Sequence, residues 1–204
     1  MSIRDEKADV RKIMKHRLSL HCQQKDCCLQ EEAKAIALLK QSPEYQQTEF
    51  LLAYAALPKE FSLDLLIPQV LETEKRVFLP KSFSHNYSME FYQLKNHLPY
   101  EQQVVRGNYG IREPITGLSK YEDSAKTLVI VPGLAFTRTG QRLGRGKGFY
   151  DRFLAQLNPQ QCVFMGVCYQ CQILEQIPTE KTDIQLDFLL TSEELVSCKN
   201  KFYF

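Results

Sequence analysis

No stretch of this sequence holds the eighteen or so consecutive apolar residues that a membrane-crossing helix needs. The N-terminus is charged from Arg4 onward and lacks the apolar h-region of a secretory leader, so the chain is expected in the cytoplasm. An excess of one charge is also lacking: 26 Lys and Arg stand against 24 Asp and Glu, a formal +2. Nucleic-acid binders show a basic excess or stripe, so no nucleic-acid partner is expected, although one local anion site fits the balance. Internal repeats and low-complexity segments are absent, which excludes a solenoid. The seven cysteines form no metal pattern. Their one C-x-x-C pair, Cys168 and Cys171, has no second pair or histidines at ligand spacing. It also follows a late strand, where a thioredoxin-like pair would follow an early one, so these read as ordinary reduced thiols.

What is present is an ordinary globular composition, 44% apolar and 25% charged over 204 residues. A chain this long buries roughly 70% of its unfolded surface, enough for one sizeable core. Continuous apolar runs at Phe50–Ala56, Leu128–Pro132 and Val163–Val167 read as strands buried on both faces, the habit of parallel sheets covered by helices. Shorter strands are expected at Arg76–Pro80, ending at its proline, at Met89–Leu94 and at Phe188–Leu190, with a polar tail after the last. Helices are expected over residues 4–18, 29–39 and, interrupted by Pro68, 62–72, and helical patterns between the strands complete βαβ units. Residues 97–123 read as a long loop. The expectation is an α/β fold: a single layered domain over residues 1–204, with a largely parallel central sheet flanked by helices.

On the first helix Val10, Met14 and Leu18 share a narrow arc, and Lys7 and Arg11 fall inside it. Buried cations need an anion: an internal salt bridge, or something bound.

The densest signal runs from Pro132-Gly133 through Gly140-Gln141-Arg142-Leu143-Gly144-Arg145-Gly146-Lys147-Gly148-Phe149-Tyr150-Asp151. It begins where a buried strand ends, which is where α/β sheets place ligands. Gly144, Gly146 and Gly148 bare the backbone N–H groups, and Arg142, Arg145 and Lys147 add mobile positive charge. A helix starting near Phe149 aims its positive end at the same place. Together these describe a polyphosphate cradle. It is neither a Walker A loop nor a dinucleotide fingerprint, because Gln141, Gly148 and Phe149 stand at positions those motifs reserve for other residues. Asp151 beside such a cradle can hold Mg²⁺. Asp183 and Asp187 form a second acidic cluster before the last strand.

These residues resemble the 5-formyltetrahydrofolate cyclo-ligase family. The likeness includes Pro132–Leu154, the Lys7-x-x-x-Arg11 pair, Tyr109-Gly110-Ile111-Arg112-Glu113-Pro114 and Asp183-x-x-x-Asp187. It implies ATP and Mg²⁺ as cofactors and a monomer acting on small molecules, converting 5-formyltetrahydrofolate and ATP to 5,10-methenyltetrahydrofolate, ADP and phosphate. By that resemblance Arg145, Lys147 and Tyr150 are catalytic. Lys7, Arg11, Arg142, Gly144, Arg145, Gly146, Lys147, Gly148, Phe149 and Tyr150 bind nucleotide. Glu60, Ser62, Arg145 and Phe149 bind folate, and Asp151 and Asp183 hold the metal. Three positions depart from the family pattern: Thr137 and Ser62 replace acids, and Phe149 replaces a tyrosine. Two other readings suit the same residues: a folate- or nucleotide-binding protein without turnover, and an ATP-dependent enzyme with a different acceptor.

Overall fold

The structure, a computed structural model, describes residues 2–107 and 110–199. Tyr109 of the Gly-Ile-x-Glu-Pro element and the terminal Phe202-Tyr203-Phe204 lie outside the described residues.

Helices α1 (Ile3–His21), α2 (Lys25–Gln41) and α3 (Pro43–Gln46) lead into β1 (Phe50–Leu52), α4 (Ile67–Leu71), β2 (Arg76–Phe83) and β3 (Ser88–Gln93). There follow β4 (Val104–Arg106), β5 (Arg112–Pro114), β6 (Thr127–Val131), β7 (Ala135–Phe136), β8 (Arg142–Leu143) and α5 (Phe149–Leu154). The described chain closes with β9 (Cys162–Val167), β10 (Phe188–Leu190) and β11 (Leu195–Ser197). Among the described residues one seven-stranded sheet forms, in the order β11-β10-β9-β6-β1-β2-β3. Its five inner strands are parallel, and β3 and β11 run antiparallel at the edges. The expected α/β class with a largely parallel central sheet is the one observed.

The continuous apolar runs have the expected cause. Leu51, Val77, Leu128 and Ile130 face a core shared with Met14, Leu18, Ile36 and Leu39 of α1 and α2. Their neighbours Leu52, Phe78, Val129 and Val131 face a second core, closed by Leu154 of α5, Phe91 and Tyr121. Alternate residues of one strand thus enter different cores, and no polar side is left to show in the pattern.

Several expectations need correction. The strand at Phe50 stops at Leu52, because Ala53–Ala56 leave the sheet toward the cleft described below. The β2 strand does not end at Pro80 but continues to Phe83. Its pairing with β1 ends at Phe78, and opposite Pro80 the Phe91 carbonyl accepts from Tyr121 N instead. The missing N–H of Pro80 therefore breaks no ladder. Residues 97–123 are not simply a loop, since they contain the β4–β5 hairpin. The helix expected over 62–72 is confined to Ile67–Leu71, and the β9-to-β10 crossover carries only a 3₁₀ turn, Gln170–Gln172, where a helix was expected. The expected polar tail includes the edge strand β11. Cys168 is fully buried and Cys171 partly so, and burial pushes the Cys171 thiol up to about 11, as suits ordinary unreactive thiols.

Candidate active site

In chain order the sheet grows from β1 toward β2 on one side, and from β6 toward β9 and β10 on the other. The switch point lies between β1 and β6, and a crevice opens there outside the carboxyl ends of the strands. It is lined by Tyr54 and Ala55 beyond β1 and by Pro132 and Gly133 beyond β6, and its volume is about 1020 Å³. A cleft of this size suits a cofactor and a small substrate together.

The glycine-rich segment is built differently from a single loop. After β6 the chain folds back as the β7–β8 hairpin, whose β8 strand is Arg142–Leu143. Only Gly144 to Gly148 remains as loop, leading into α5, which is six residues long. The turn of the hairpin is closed by Thr137, whose hydroxyl accepts from Gln141 N at 3.1 Å. Thr137 is buried and absent from the cleft wall, so this departure from the family pattern falls in a turn.

Among the described residues three cations of the cleft wall, Lys7, Arg142 and Arg145, form ion pairs. Lys7 of α1 donates to Asp183 at 2.6 Å and to Glu180 at 2.9 Å. Burial pulls the Lys7 ammonium down, but the two carboxylates outweigh it and hold its pKa above the ordinary lysine value. Arg142 donates to Asp151 at 2.7 Å and also to the Pro132 carbonyl at 3.2 Å. With 4% of its side chain exposed, Arg142 is a fixed group and not the mobile cation expected from sequence. Arg145 donates to Glu60 at 2.6 Å, and the second oxygen of Glu60 accepts from Leu57 N.

Arg11 turns into the cleft and donates to the Gly144 carbonyl at 2.9 Å. Lys7 and Arg11 therefore do lie on the inward arc of α1, and the anion near Lys7 is a pair of carboxylates of the chain itself. Lys147, Gly146, Gly148, Phe149 and Tyr150 line the same cleft. Burial, with some help from the charge of Glu60, raises the Tyr150 phenol far above its ordinary range, so it stays protonated. Its hydroxyl is buried without a hydrogen-bond partner among the described residues. Arg152 ties the region together by donating to the carbonyls of Lys147 and Tyr87.

One predicted site residue, Ser62, and one acid of the second cluster, Asp187, stand elsewhere. Ser62 is not part of the cleft wall: its hydroxyl accepts from Asp64 N and its own N–H donates to Glu32. Asp187 accepts from Phe164 N at 2.9 Å between β9 and β10, a sheet contact. Conversely, Glu113 of β5 and Glu180 line the cleft without having been singled out as site residues. Glu113 falls in a stretch that reads as loop, and Glu180 in a polar segment with no pattern. The available signal for Glu180 was its place three residues before Asp183.

The profile of the 5-formyltetrahydrofolate cyclo-ligase family matches residues 3–192. A protein of Caenorhabditis elegans described as a probable 5-formyltetrahydrofolate cyclo-ligase is 26% identical, over 96% of this chain and 97% of its own. A counterpart with the same description in Schizosaccharomyces pombe is 31% identical, over 81% of this chain and 87% of its own. Among solved structures, the 5,10-methenyltetrahydrofolate synthetase of Aquifex aeolicus superposes with a TM-score of 0.77 at 29% identity, covering 97% of this chain and 95% of that one.

Proposed function

The chain belongs to the 5-formyltetrahydrofolate cyclo-ligase family, whose members are ligases, and we propose that its cleft closes 5-formyltetrahydrofolate to 5,10-methenyltetrahydrofolate with ATP and Mg²⁺. ADP and phosphate would be the other products. The observation that carries the reading is how the three paired cations of the cleft are matched. Each cation suited to phosphate (Lys7, Arg142, Arg145) is joined to a carboxylate suited to metal or substrate (Asp183, Asp151, Glu60). The charges of the cleft thus compensate one another within the chain, and incoming phosphate and Mg²⁺ can take over the separate partners without leaving a bare charge.

The donor set fits Mg²⁺. Among the described residues no cluster of three or more His, Cys, Asp or Glu converges to cage a metal. Mg²⁺ is usually held by one or two carboxylates together with phosphate oxygens, and Asp151 and Asp183 both line the cleft. These two carboxylates would hold the ion, which would supply neutralisation of negative charge during phosphoryl transfer.

The reaction needs the formyl oxygen, a poor leaving group, to be phosphorylated, after which N10 attacks the formyl carbon and phosphate departs. No covalent enzyme nucleophile is required, so the protein's contribution is positioning and charge. In this reading Lys7, Arg11 and Lys147 hold phosphate oxygens, and the bare backbone at Gly144, Gly146 and Gly148 lets them approach closely. Arg145 serves phosphate and folate together, being seated by Glu60 at the folate end. Tyr150, kept protonated by burial, donates a hydrogen bond to developing charge. Phe149 offers an apolar face to the folate, and Ser62 acts only through the turn it closes. The proposal places the enzyme in the cytoplasm, where its seven free thiols suit a reducing compartment.

The test is to mix purified protein with 5-formyltetrahydrofolate and Mg²⁺-ATP and follow methenyltetrahydrofolate absorbance in the near ultraviolet. Product formation that requires both ATP and Mg²⁺ is expected. Folate binding without product would point to a binding protein, and ATP turnover with another compound to a different acceptor.

A further inference from the structure

Among the described residues five carboxylates line the cleft, and four of them are ion-paired: Glu60, Asp151, Glu180 and Asp183. Glu113 is the fifth. It is 5% exposed and has no ion pair among the described residues, and its Oε1 accepts from the Ser82 hydroxyl at 3.3 Å. The same cleft wall carries apolar Pro80 and Met89 from the β2–β3 pair and Ile111 beside β5. The fold makes room for this acid: a Cβ on Gly107 would stand 2.3 Å from the Glu113 carboxyl carbon. A buried carboxylate without a cation is unfavourable unless N–H donors reach it.

We propose that Glu113 is a specificity residue that reads an N–H donor edge of the substrate. The folate bicycle carries such an edge, with a 2-amino group beside a ring N–H, two parallel donors that match the two oxygens of a carboxylate. Glu113 thereby sets the orientation of the ring and places the formyl end toward the cationic loop. This deepens the proposed function and rests on it.

The test is calorimetric titration of the full chain, with Mg²⁺ and ADP present, using 5-formyltetrahydrofolate and its 2-desamino-2-methyl analogue. Wild type is expected to bind the analogue about tenfold more weakly or worse, the loss typical of a hydrogen bond to a charged group. Glu113→Gln is expected to bind 5-formyltetrahydrofolate about tenfold more weakly, to discriminate between the two compounds less than about threefold, and to keep its affinity for Mg²⁺-ADP. Equal binding of both compounds by wild type overturns the proposal, and that comparison needs no variant to fold. Undiminished discrimination by folded Glu113→Gln overturns it equally. Wild type that binds 5-formyltetrahydrofolate but does not turn it over removes the cyclo-ligase reading and leaves the Glu113 result readable. Wild type that does not bind it removes both.

Discussion

Arg142, Arg145 and Lys147 sit within six positions of one another and look alike in sequence, yet their surroundings separate them. Arg142 is buried and fixed by Asp151 and Pro132, Arg145 is 40% exposed and reaches Glu60, and Lys147 is exposed. Removing the buried one should cost stability first. Arg142→Met leaves Asp151 without its cation, and urea unfolding should show a loss of about 2–3 kcal/mol, less than a fully buried pair would give because Asp151 is 24% exposed. Lys147→Ala should do the reverse, keeping stability within about 0.5 kcal/mol while turnover falls about a hundredfold. Unchanged turnover would take Lys147 out of the mechanism. Residue types and spacing were legible here, because glycines and cations alternate at the end of a buried strand. Burial was not, because β8 is two residues long and carries no periodicity to mark Arg142 as inward.

Elements divide along the same line. Strands of five or six mostly apolar residues, β6 and β9, announce themselves, whereas the β4–β5 and β7–β8 hairpins have arms of two or three residues and depend on contacts distant in sequence. Glu113 was missed as a site residue for this reason: it belongs to a strand whose partners, β4 and β2, cannot be read locally. The β7–β8 hairpin is instead fixed at its turn. Gly140 has φ +84° and its added Cβ would lie 2.5 Å from the Leu186 carbonyl oxygen, a backbone atom unable to yield. Gly117 has a similar φ of +86° with nothing within 4 Å. Gly140→Ala should therefore cost distinctly more than Gly117→Ala, about 3 kcal/mol against about 1 in denaturant unfolding. Equal losses would mean that only the dihedral matters and that the hairpin turn can shift from Leu186. Because Gly140 supports the loop at Gly144–Gly148, the Gly140 variant should also lose activity, and the Gly117 variant should keep it.

At the scale of the whole molecule, two buried ionisable groups join parts far apart in the chain. Lys7 reaches carboxylates 173 and 176 residues away, clipping the first helix to the segment that carries Asp183. Glu32 of α2 does the same within the core. One of its oxygens accepts from Ser62 N at 3.0 Å and from the Tyr169 hydroxyl, 137 residues away. Neither link was legible, since a helix pattern shows which side is inward but not which distant group waits there. Burial raises the Glu32 pKa from its ordinary 4.5, outweighing the hydrogen bonds from Tyr169 and Ser62 that lower it. The folded protein thus keeps a proton that the unfolded chain has already released. The contribution of this group is favourable below about pH 4.5 and is lost as pH rises through the raised value. Glu32→Gln removes that titration while its amide oxygen can still accept both hydrogen bonds. Thermal melting of parent and variant should therefore diverge with pH: the variant gains on the parent as pH rises above about 4.5 toward neutrality. A melting difference that stays flat across that range would mean that Glu32 is ionised in the core at neutral pH, with its charge fully met by Ser62 and Tyr169.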